Sequence, residues 1–356
     1  MAAFVGARLL KSWRPWAGKA ACAGALCIVG HGATYGGSFR PASCDGSGQG
    51  HGDKKLLVPT KLAPMALQHD RMLFAVPKKG RLYDKVSKIL VGAGVEYQRK
   101  ERLDIAECTN LPMSIVFLPA ADIATYVGEG DVDIGITGED VVAESEVDVI
   151  TLLQLGFGKC NLSVQAPKQR DNKDVSELAG QRIVTSFPNL TRKFFEQYEK
   201  PGAPTQVKCI SGSVEASCGL GLADGIVDLV ETGATMRAAG LEEVALVMES
   251  QAVLIQNPHS RHSDLVEVVR KRISGYLLAQ RWVMVTYNVE RKNIKIVEKI
   301  TPGKRSPSIQ PLEDKNWVAI AAMVPKGDAP NIMDELERAG AKDILLTQLL
   351  SSRMGD

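Results

Sequence analysis

From Met72 onward, short apolar runs alternate with stretches in which apolar residues recur at helical spacing. Met72–Val76 reads as a strand. After Pro77-Lys-Lys-Gly-Arg81, the residues Leu82, Val86, Ile89, Leu90 and Ala93 share one helical face. Ser114–Leu118 is a second strand, closed by Pro119, and Ala121–Val127 the next helix. Asp131-Val-Asp-Ile-Gly-Ile-Thr-Gly138 predicts a strand running into a glycine turn, with Glu139–Ser145 as the helix after it. A second series begins at strand Arg182–Phe187. It continues through helix Leu190–Tyr198, strand Val207–Ser211, helix Val214–Leu222 and strand Ile226–Val230. Ala245–Ser250 and Ala252–Gln256 lead back as strands into a long helix, Asp264–Ala279. Strands alternating with helices predict parallel sheets covered on both faces, an α/β fold. Two such series, joined near Leu155–Leu162, predict two lobes with a ligand cleft between them.

The pattern changes once more after the long helix. Strand Val283–Tyr287, helix Arg291–Ile300, strands Ser308–Pro311 and Trp317–Val324, helix Ile332–Ala339 and strand Asp343–Leu349 follow. That order is βαββαβ, the split arrangement of ferredoxin-like folds. Periodicity leaves two roles open for such a module, binding a regulatory amino acid or serving as a dimerisation surface. The expected organisation is residues 1–71 as an extension and 72–159 with 246–279 as a first lobe. Residues 160–245 form a second lobe and 280–356 a C-terminal module.

Composition narrows the function classes. A chain of 356 residues, 45% hydrophobic and 24% charged, is ordinary globular material. Residues 1–71 hold nine Lys/Arg against three Asp/Glu (net +6), which leaves 72–356 at −4 within the total of +2. A mildly acidic body argues against a nucleic-acid partner, whose affinity would come from phosphate neutralisation. The first 71 residues are acid-poor, basic and rich in small residues, as organellar transit segments are. A disordered tail, or an upstream reading whose true start is Met65 or Met72, fits the same composition. The apolar stretch Ala20–Gly30 is too short to span a bilayer. No membrane partner is expected. Seven dispersed cysteines without a CxxC pair read as reduced thiols of an intracellular protein. The expected compartment is the cytoplasm, or an organellar matrix if residues 1–71 act as a transit peptide.

Candidate chemistry concentrates in Asp228-Leu-Val-Glu-Thr-Gly-Ala-Thr235. An apolar strand delivers the backbone into Thr232, Gly233, Ala234 and Thr235, where hydroxyls and free N–H groups open a helix. Helix N-termini hold phosphates in this way. Asp228 and Glu231 flank the loop and would accept hydrogen bonds from ribose hydroxyls. An ordinary strand–turn–helix carries the same residues, so the octet alone does not decide. His51, His69, His259 and His262 lie in polar segments with no claim to catalysis.

Pro77-Lys-Lys-Gly-Arg-Leu82, Asp131–Gly138, Leu155-Gly-Phe-Gly158, Ser211-Gly-Ser-Val-Glu-Ala216, Asp228–Thr235, and Thr301-Pro-Gly303 with Ser306-Pro-Ser308 stand in a fixed order. In that order the chain resembles ATP phosphoribosyltransferases, specifically the long, histidine-regulated form and its fungal members. The resemblance covers nearly all of 72–356 and none of 1–71. It implies a two-lobed catalytic core resembling type II periplasmic binding proteins, followed by the ferredoxin-like regulatory module.

The implied reaction is attack of adenine N1 of ATP on C1 of 5-phosphoribosyl 1-diphosphate, expelling diphosphate with inversion, as the first step of histidine biosynthesis. Asp228, Glu231 and Thr232–Thr235 would hold the phosphoribosyl donor, with Gly212, Ser213 and Glu215 as a second loop beside them. Lys78, Lys79, Arg81 and Arg102 would face polyphosphate from the other lobe, with Lys78, Arg81 and Arg102 toward ATP and Lys79, Arg81 and Arg102 toward the reacting groups. The Lys78–Arg81 turn stands at a strand C-terminus, where open α/β sheets bind ligands. Magnesium would be carried by substrate oxygens, with no metal-ligating residues of the protein. Histidine would bind the C-terminal module at Asn288, Ser308 and Asp343. Asn288 stands where some relatives carry an acid, which implies weaker histidine binding. Dimers assembling into hexamers are implied as well. Two alternatives are a two-lobed solute-binding protein and a non-catalytic amino-acid sensor built on the C-terminal module.

Overall fold

A computed structural model of the chain describes residues 71–100, 103–168 and 174–353. The transit-type reading of residues 1–71 therefore falls outside the described residues, apart from Arg71. That residue belongs to the fold, one position earlier than expected. Its guanidinium donates to the carbonyls of Cys108 (2.9 Å) and Met113 (2.7 Å), tying the chain to the neighbouring strand.

The first lobe opens with β1 (Met72–Pro77), α1 (Gly80–Gly92), β2 (Ile105–Glu107) and β3 (Met113–Leu118). Next come α2 (Ile123–Gly128), β4 (Ile134–Gly138), α3 (Glu139–Ser145) and β5 (Ile150–Gln154). The chain then enters a second lobe through β6 (Cys160–Pro167), β7 (Arg182–Thr185), α4 (Pro188–Glu196) and β8 (Gln206–Cys209). That lobe is completed by α5 (Ala216–Gly219), β9 (Gly225–Val230), α6 (Ala234–Ala238) and β10 (Leu241–Ser250). It returns through β11 (Ala252–Gln256) and α7 (Ser263–Ala279). The C-terminal module is β12 (Trp282–Glu290), α8 (Ile294–Ile300), β13 (Ser308–Pro311), β14 (Trp317–Pro325), α9 (Ala329–Arg338) and β15 (Lys342–Gln348).

Strand order is β2-β3-β1-β4-β11-β5 in the first sheet and β10-β6-β9-β7-β8 in the second. Both sheets are mixed where all-parallel ones were expected. β1 pairs parallel with β3 and β4, and β7 parallel with β8 and β9, because each of those connections carries a helix or a long crossover. β11 runs antiparallel to β4 and β5, and β6 antiparallel to β9 and β10, because these strands lead the chain between lobes. The return crossing lies at Gln251, since β10 pairs with β6 as far as Ser250, beyond the expected boundary at 246.

Burial explains the strand types. β1, β4 and β11 are almost wholly buried because helices cover both sheet faces. Gly135 lets α2 lie on the sheet, since a Cβ there would come within 2.5 Å of the Ile123 side chain. Helix α1 buries Val86, Ile89 and Leu90 against Phe74, Phe117 and Met113. Each such side chain contributes roughly 1.5–3 kcal/mol relative to exposure. In the C-terminal module, by contrast, β12 and β14 alternate. Val283, Val285, Tyr287 and Val289 face α8 and α9, and the intervening residues line the other face. The order β13-β14-β12-β15 with antiparallel neighbours is the ferredoxin-like sheet.

Candidate functional site

The two crossings, Leu155–Cys160 and Ser250–Ala252, form the waist between the lobes. Backbone bonds lock them together: Leu155 N–H donates to the Ala252 carbonyl and Ala252 N–H to the Phe157 carbonyl, both at 2.9 Å. Asp140, the second residue of α3, is buried beside them. Ser250 Oγ donates to its carboxylate at 2.5 Å, and Asp140 N–H donates back to Ser250 Oγ at 3.1 Å. Burial pushes the neighbouring Cys160 thiol up to about 11, with the Asp140 and Glu231 charges adding to the shift.

A cleft opens on this waist in two adjoining parts. One, of about 430 Å³, is walled by Leu82, Val141, Phe157, Phe187 and Leu229, with Lys79, Arg81 and Lys85 at one side. The other, of about 750 Å³, is polar and lined by Glu231, Thr232, Gly233, Arg237, Lys159 and Gln251 among others. Cys160, Glu231 and Gln251 belong to both parts.

The loop after β9 is built as its sequence suggests, although its helix α6 is only five residues long. Gly233 caps that helix at φ 70°, the left-handed conformation that glycine adopts without strain. Thr232 Oγ accepts a long bond from Ala234 N–H (3.4 Å), and Arg237 closes the turn onto the Thr232 carbonyl at 2.9 Å. First-turn N–H groups of a helix have no intrahelical partner; Thr232 and Gly233 line the polar part of the cleft, while Asp228, Ala234 and Thr235 belong to neither lining. Thr232, Ala234 and Thr235 are exposed.

Asp228 is partly buried at the end of β9, and its Oδ1 accepts from Leu229 N–H (2.8 Å). Burial raises its pKa; the bond from Leu229 N–H opposes the shift and the charge of Glu215 adds to it. Gly212 and Ser213 both hold positive φ (78° and 50°), an unusual conformation for a serine. The Gly212–Glu215 loop follows β8, which runs parallel to β7 and β9, so it leaves the same end of the sheet as the loop after β9, and Gly212, Ser213 and Glu215 are not among the cleft walls.

From the first lobe, Lys79 and Arg81 reach the cleft at the start of α1. The Arg81 guanidinium meets Glu231 across it at 2.5 Å. With the Arg81 side chain 84% exposed, this pair adds little to stability, about 0–1 kcal/mol. Lys78, in contrast, turns to Asp104 at 2.5 Å within its own lobe and lines neither part. Arg102 lies outside the described residues. In the C-terminal module, Asn288 Nδ2 donates to Asp343 across β12 and β15 at 3.0 Å. Ser308 lies on the same sheet face but two strands away, through Ala321 and Thr286. Asp343 therefore places a carboxylate within hydrogen-bond reach of position 288.

Sequence reasoning missed Cys160, Gln251, Asp140 and Ser250, which come together only because the chain crosses between lobes twice. Leu155–Gly158 lies in the first of the two crossings between the lobes. Gly156 and Gly158 both hold positive φ (74° and 65°), which marks the waist. Among the described residues, no three His, Cys, Asp or Glu side chains gather as a metal cluster, and no helix is long and apolar enough to cross a membrane.

Comparison with known proteins adds sequence evidence. The family model HisG, ATP phosphoribosyltransferase, matches residues 119–275, and the HisG C-terminal domain model matches 279–351. The ATP phosphoribosyltransferase of Candida glabrata is 50% identical over 299 residues, covering 80% of this chain and 98% of that protein. Its Saccharomyces cerevisiae counterpart is 48% identical over 290 residues, covering 80% and 97%. Among solved structures, a chain of the ATP phosphoribosyl transferase (HisG:HisZ) complex from Thermotoga maritima aligns at 29% identity with a TM-score of 0.49. That alignment covers 57% of this chain and 98% of that one.

Proposed function

The chain belongs to the ATP phosphoribosyltransferase family, and from that premise we propose how its cleft performs the family's reaction. The enzyme joins ATP to 5-phosphoribosyl 1-diphosphate, giving N1-(5-phosphoribosyl)-ATP and diphosphate, the first step of histidine biosynthesis. The solute-binding and sensor alternatives are set aside, because the similar relatives are named as this enzyme and match over 80% of this chain and 97–98% of their own length.

Displacement at C1 passes through a centre of oxocarbenium character with an anionic leaving group. Such a reaction needs alignment and electrostatics more than a nucleophilic side chain. The loop Glu231–Thr235 holds the 5-phosphate with its N–H groups and the hydroxyls of Thr232 and Thr235. Asp228 and Glu231 accept from ribose hydroxyls, and the Gly212–Glu215 loop borders the same end. The apolar slot between Phe157, Phe187, Leu82 and Val141 takes the planar base, and Lys79 and Arg81 face the polyphosphates. Lys78 is held by Asp104 and has a supporting place at most. Magnesium would arrive on the donor's diphosphate and neutralise its charge. Glu139, Glu231, Glu243 and Glu249 border the polar part and are the carboxylates beside which a substrate-borne ion would sit.

The observation that carries this assignment is the contact between Arg81 of the basic turn and Glu231 of the phosphate loop, which brings two sequence-distant motifs face to face. Arg81→Ala tests it. The substitution removes an exposed pair, so melting should be nearly unchanged while kcat/KM falls at least tenfold. An unchanged kcat/KM would remove Arg81 from the site.

The same reading extends to regulation. Histidine binds the C-terminal sheet near Asn288 and Asp343, with Asp343 receiving its ammonium, and inhibits by favouring one quaternary state of a homo-oligomer. Inhibition at that distance requires a coupling energy, typically about 1–3 kcal/mol.

A further inference from the structure

The two lobes touch at a second seam, apart from the waist. It joins the C-terminal end of α3 in the first lobe to the N-terminal end of α4 in the second. Helix α4 begins with Phe187 at its N-cap position, and Phe187 offers no side-chain cap. Proline at the first helical position has no N–H, so Asn189 and Leu190 carry the orphan donors of the first turn. Both donate to one carboxylate from the other lobe: Asn189 N–H to Glu144 Oε1 at 2.8 Å and Leu190 N–H to Glu144 Oε2 at 2.9 Å. The Asn189 side-chain amide also donates to the Glu144 carbonyl at 2.9 Å. Farther along the seam, Lys193 pairs with Glu146 at 2.5 Å.

We propose that Glu144 is a positioning residue, a cap supplied from the opposite lobe that holds the cleft at its closed angle. A helix normally takes its cap from its own preceding residue. Here the sequence leaves that position apolar, and the cap comes from the other lobe. Its charge also sits at the positive end of the α4 dipole. Opening the lobes would leave two donors and a carboxylate to water at once. The seam adjoins the slot, because Val141 of α3 and Phe187 before α4 are two of its walls. Glu144 touches neither part of the cleft, so it acts on catalysis only through the angle between Arg81 and the phosphate loop.

This inference rests on the cleft being the active site, and the two fail differently. A wrong site leaves Arg81→Ala without effect. A wrong latch leaves Arg81→Ala damaging and the seam variants silent.

The test is initial-rate kinetics of Glu144→Ala, Glu144→Gln and Lys193→Glu with each substrate varied in turn. If only a fraction of molecules holds the binding-competent angle, apparent affinity for both substrates falls by that fraction. Glu144→Ala should raise both KM values by a common factor, about threefold to thirtyfold, the range of a lost helix cap. At saturation kcat should stay within about twofold, because ligand closes the cleft. Glu144→Gln, which keeps one acceptor oxygen, should fall between. Lys193→Glu leaves the cap intact but sets like charges across the seam. It should raise both KM values by about twofold, the size of an exposed pair. It also stands as the test if Glu144→Ala does not fold. A shift in one KM alone, or a kcat loss that tracks folded protein with KM unchanged, would overturn the proposal.

Discussion

Replacing Thr232 and Thr235 with valine probes the phosphate loop with little structural disturbance. Both residues are exposed, and valine keeps the β-branched shape and its χ1 preference. Thr232 Oγ accepts only a 3.4 Å bond from Ala234 N–H, at the long limit of hydrogen bonding. Losing it should cost less than about 1 kcal/mol, a shift of a few degrees at most in the melting temperature. A hydroxyl donating to a phosphate is charge-assisted and worth roughly 1.5–3 kcal/mol. Each substitution should then weaken the donor complex about 10- to 150-fold. The residues are three positions apart on one loop, so the product, about 10²- to 10⁴-fold, is an upper bound. The assay is initial-rate kinetics with the phosphoribosyl donor varied at saturating ATP, beside a thermal melt. The expected result is a large fall in kcat/KM for the donor at near-constant melting temperature. A double variant with unchanged donor kinetics, or a loss expressed only in the KM for ATP, would refute the loop's assignment.

Two further outcomes follow from charge placement and module boundaries. The carboxyl of Asp228 is raised in the folded state by burial, with Glu215 adding to the shift, so its charge costs stability once pH exceeds the unfolded value of about 3.9. Asp228→Asn should therefore melt higher than wild type at pH 7, with the gain fading as pH falls through the raised folded value and gone below about 4, while its donor KM rises; a lower melting temperature at pH 7 would contradict the burial argument. Removing residues from 280 onward should abolish inhibition by histidine and lower the assembly state seen by light scattering, and retained inhibition would move the regulatory site into the catalytic lobes.

Much of the fold was legible because strand runs and helical faces alternate cleanly. The helix Glu139–Ser145 and the strands Ala252–Gln256 and Ser308–Pro311 fall where periodicity places them. The misses have separate physical causes. β6 carries polar residues inside its run (Asn161, Ser163, Gln165), so it lacks the apolar signature of a buried strand although Ser163 and Gln165 are buried. β5 is mostly exposed and shows little contrast. The expected helix Val214–Leu222 shrinks to Ala216–Gly219 because two glycines, Gly219 and Gly221, end it early. The assumption of parallel sheets failed where the chain passes between lobes and at the short β2–β3 connection, since those strands need no helical crossover.

The site divides the same way. The glycine turn after β9 and the basic turn after β1 are local motifs, and their backbone form could be read directly. Glu231 meeting Arg81, Asp343 meeting Asn288, and the Asp140–Ser250 pair at the waist arise from residues tens to more than a hundred positions apart. Lys78 shows the limit of the local view. Its position in the turn matches its neighbours, but Asp104 lies within reach and takes it from the cleft.

The account stands most directly on one measurement: diphosphate release by the purified chain, with mass analysis of the nucleotide product. The account predicts diphosphate only when ATP, magnesium and 5-phosphoribosyl 1-diphosphate are all present, in equal amount to a product with the mass of N1-(5-phosphoribosyl)-ATP. Diphosphate formed without ATP, or no such product from folded protein with all three present, would contradict it.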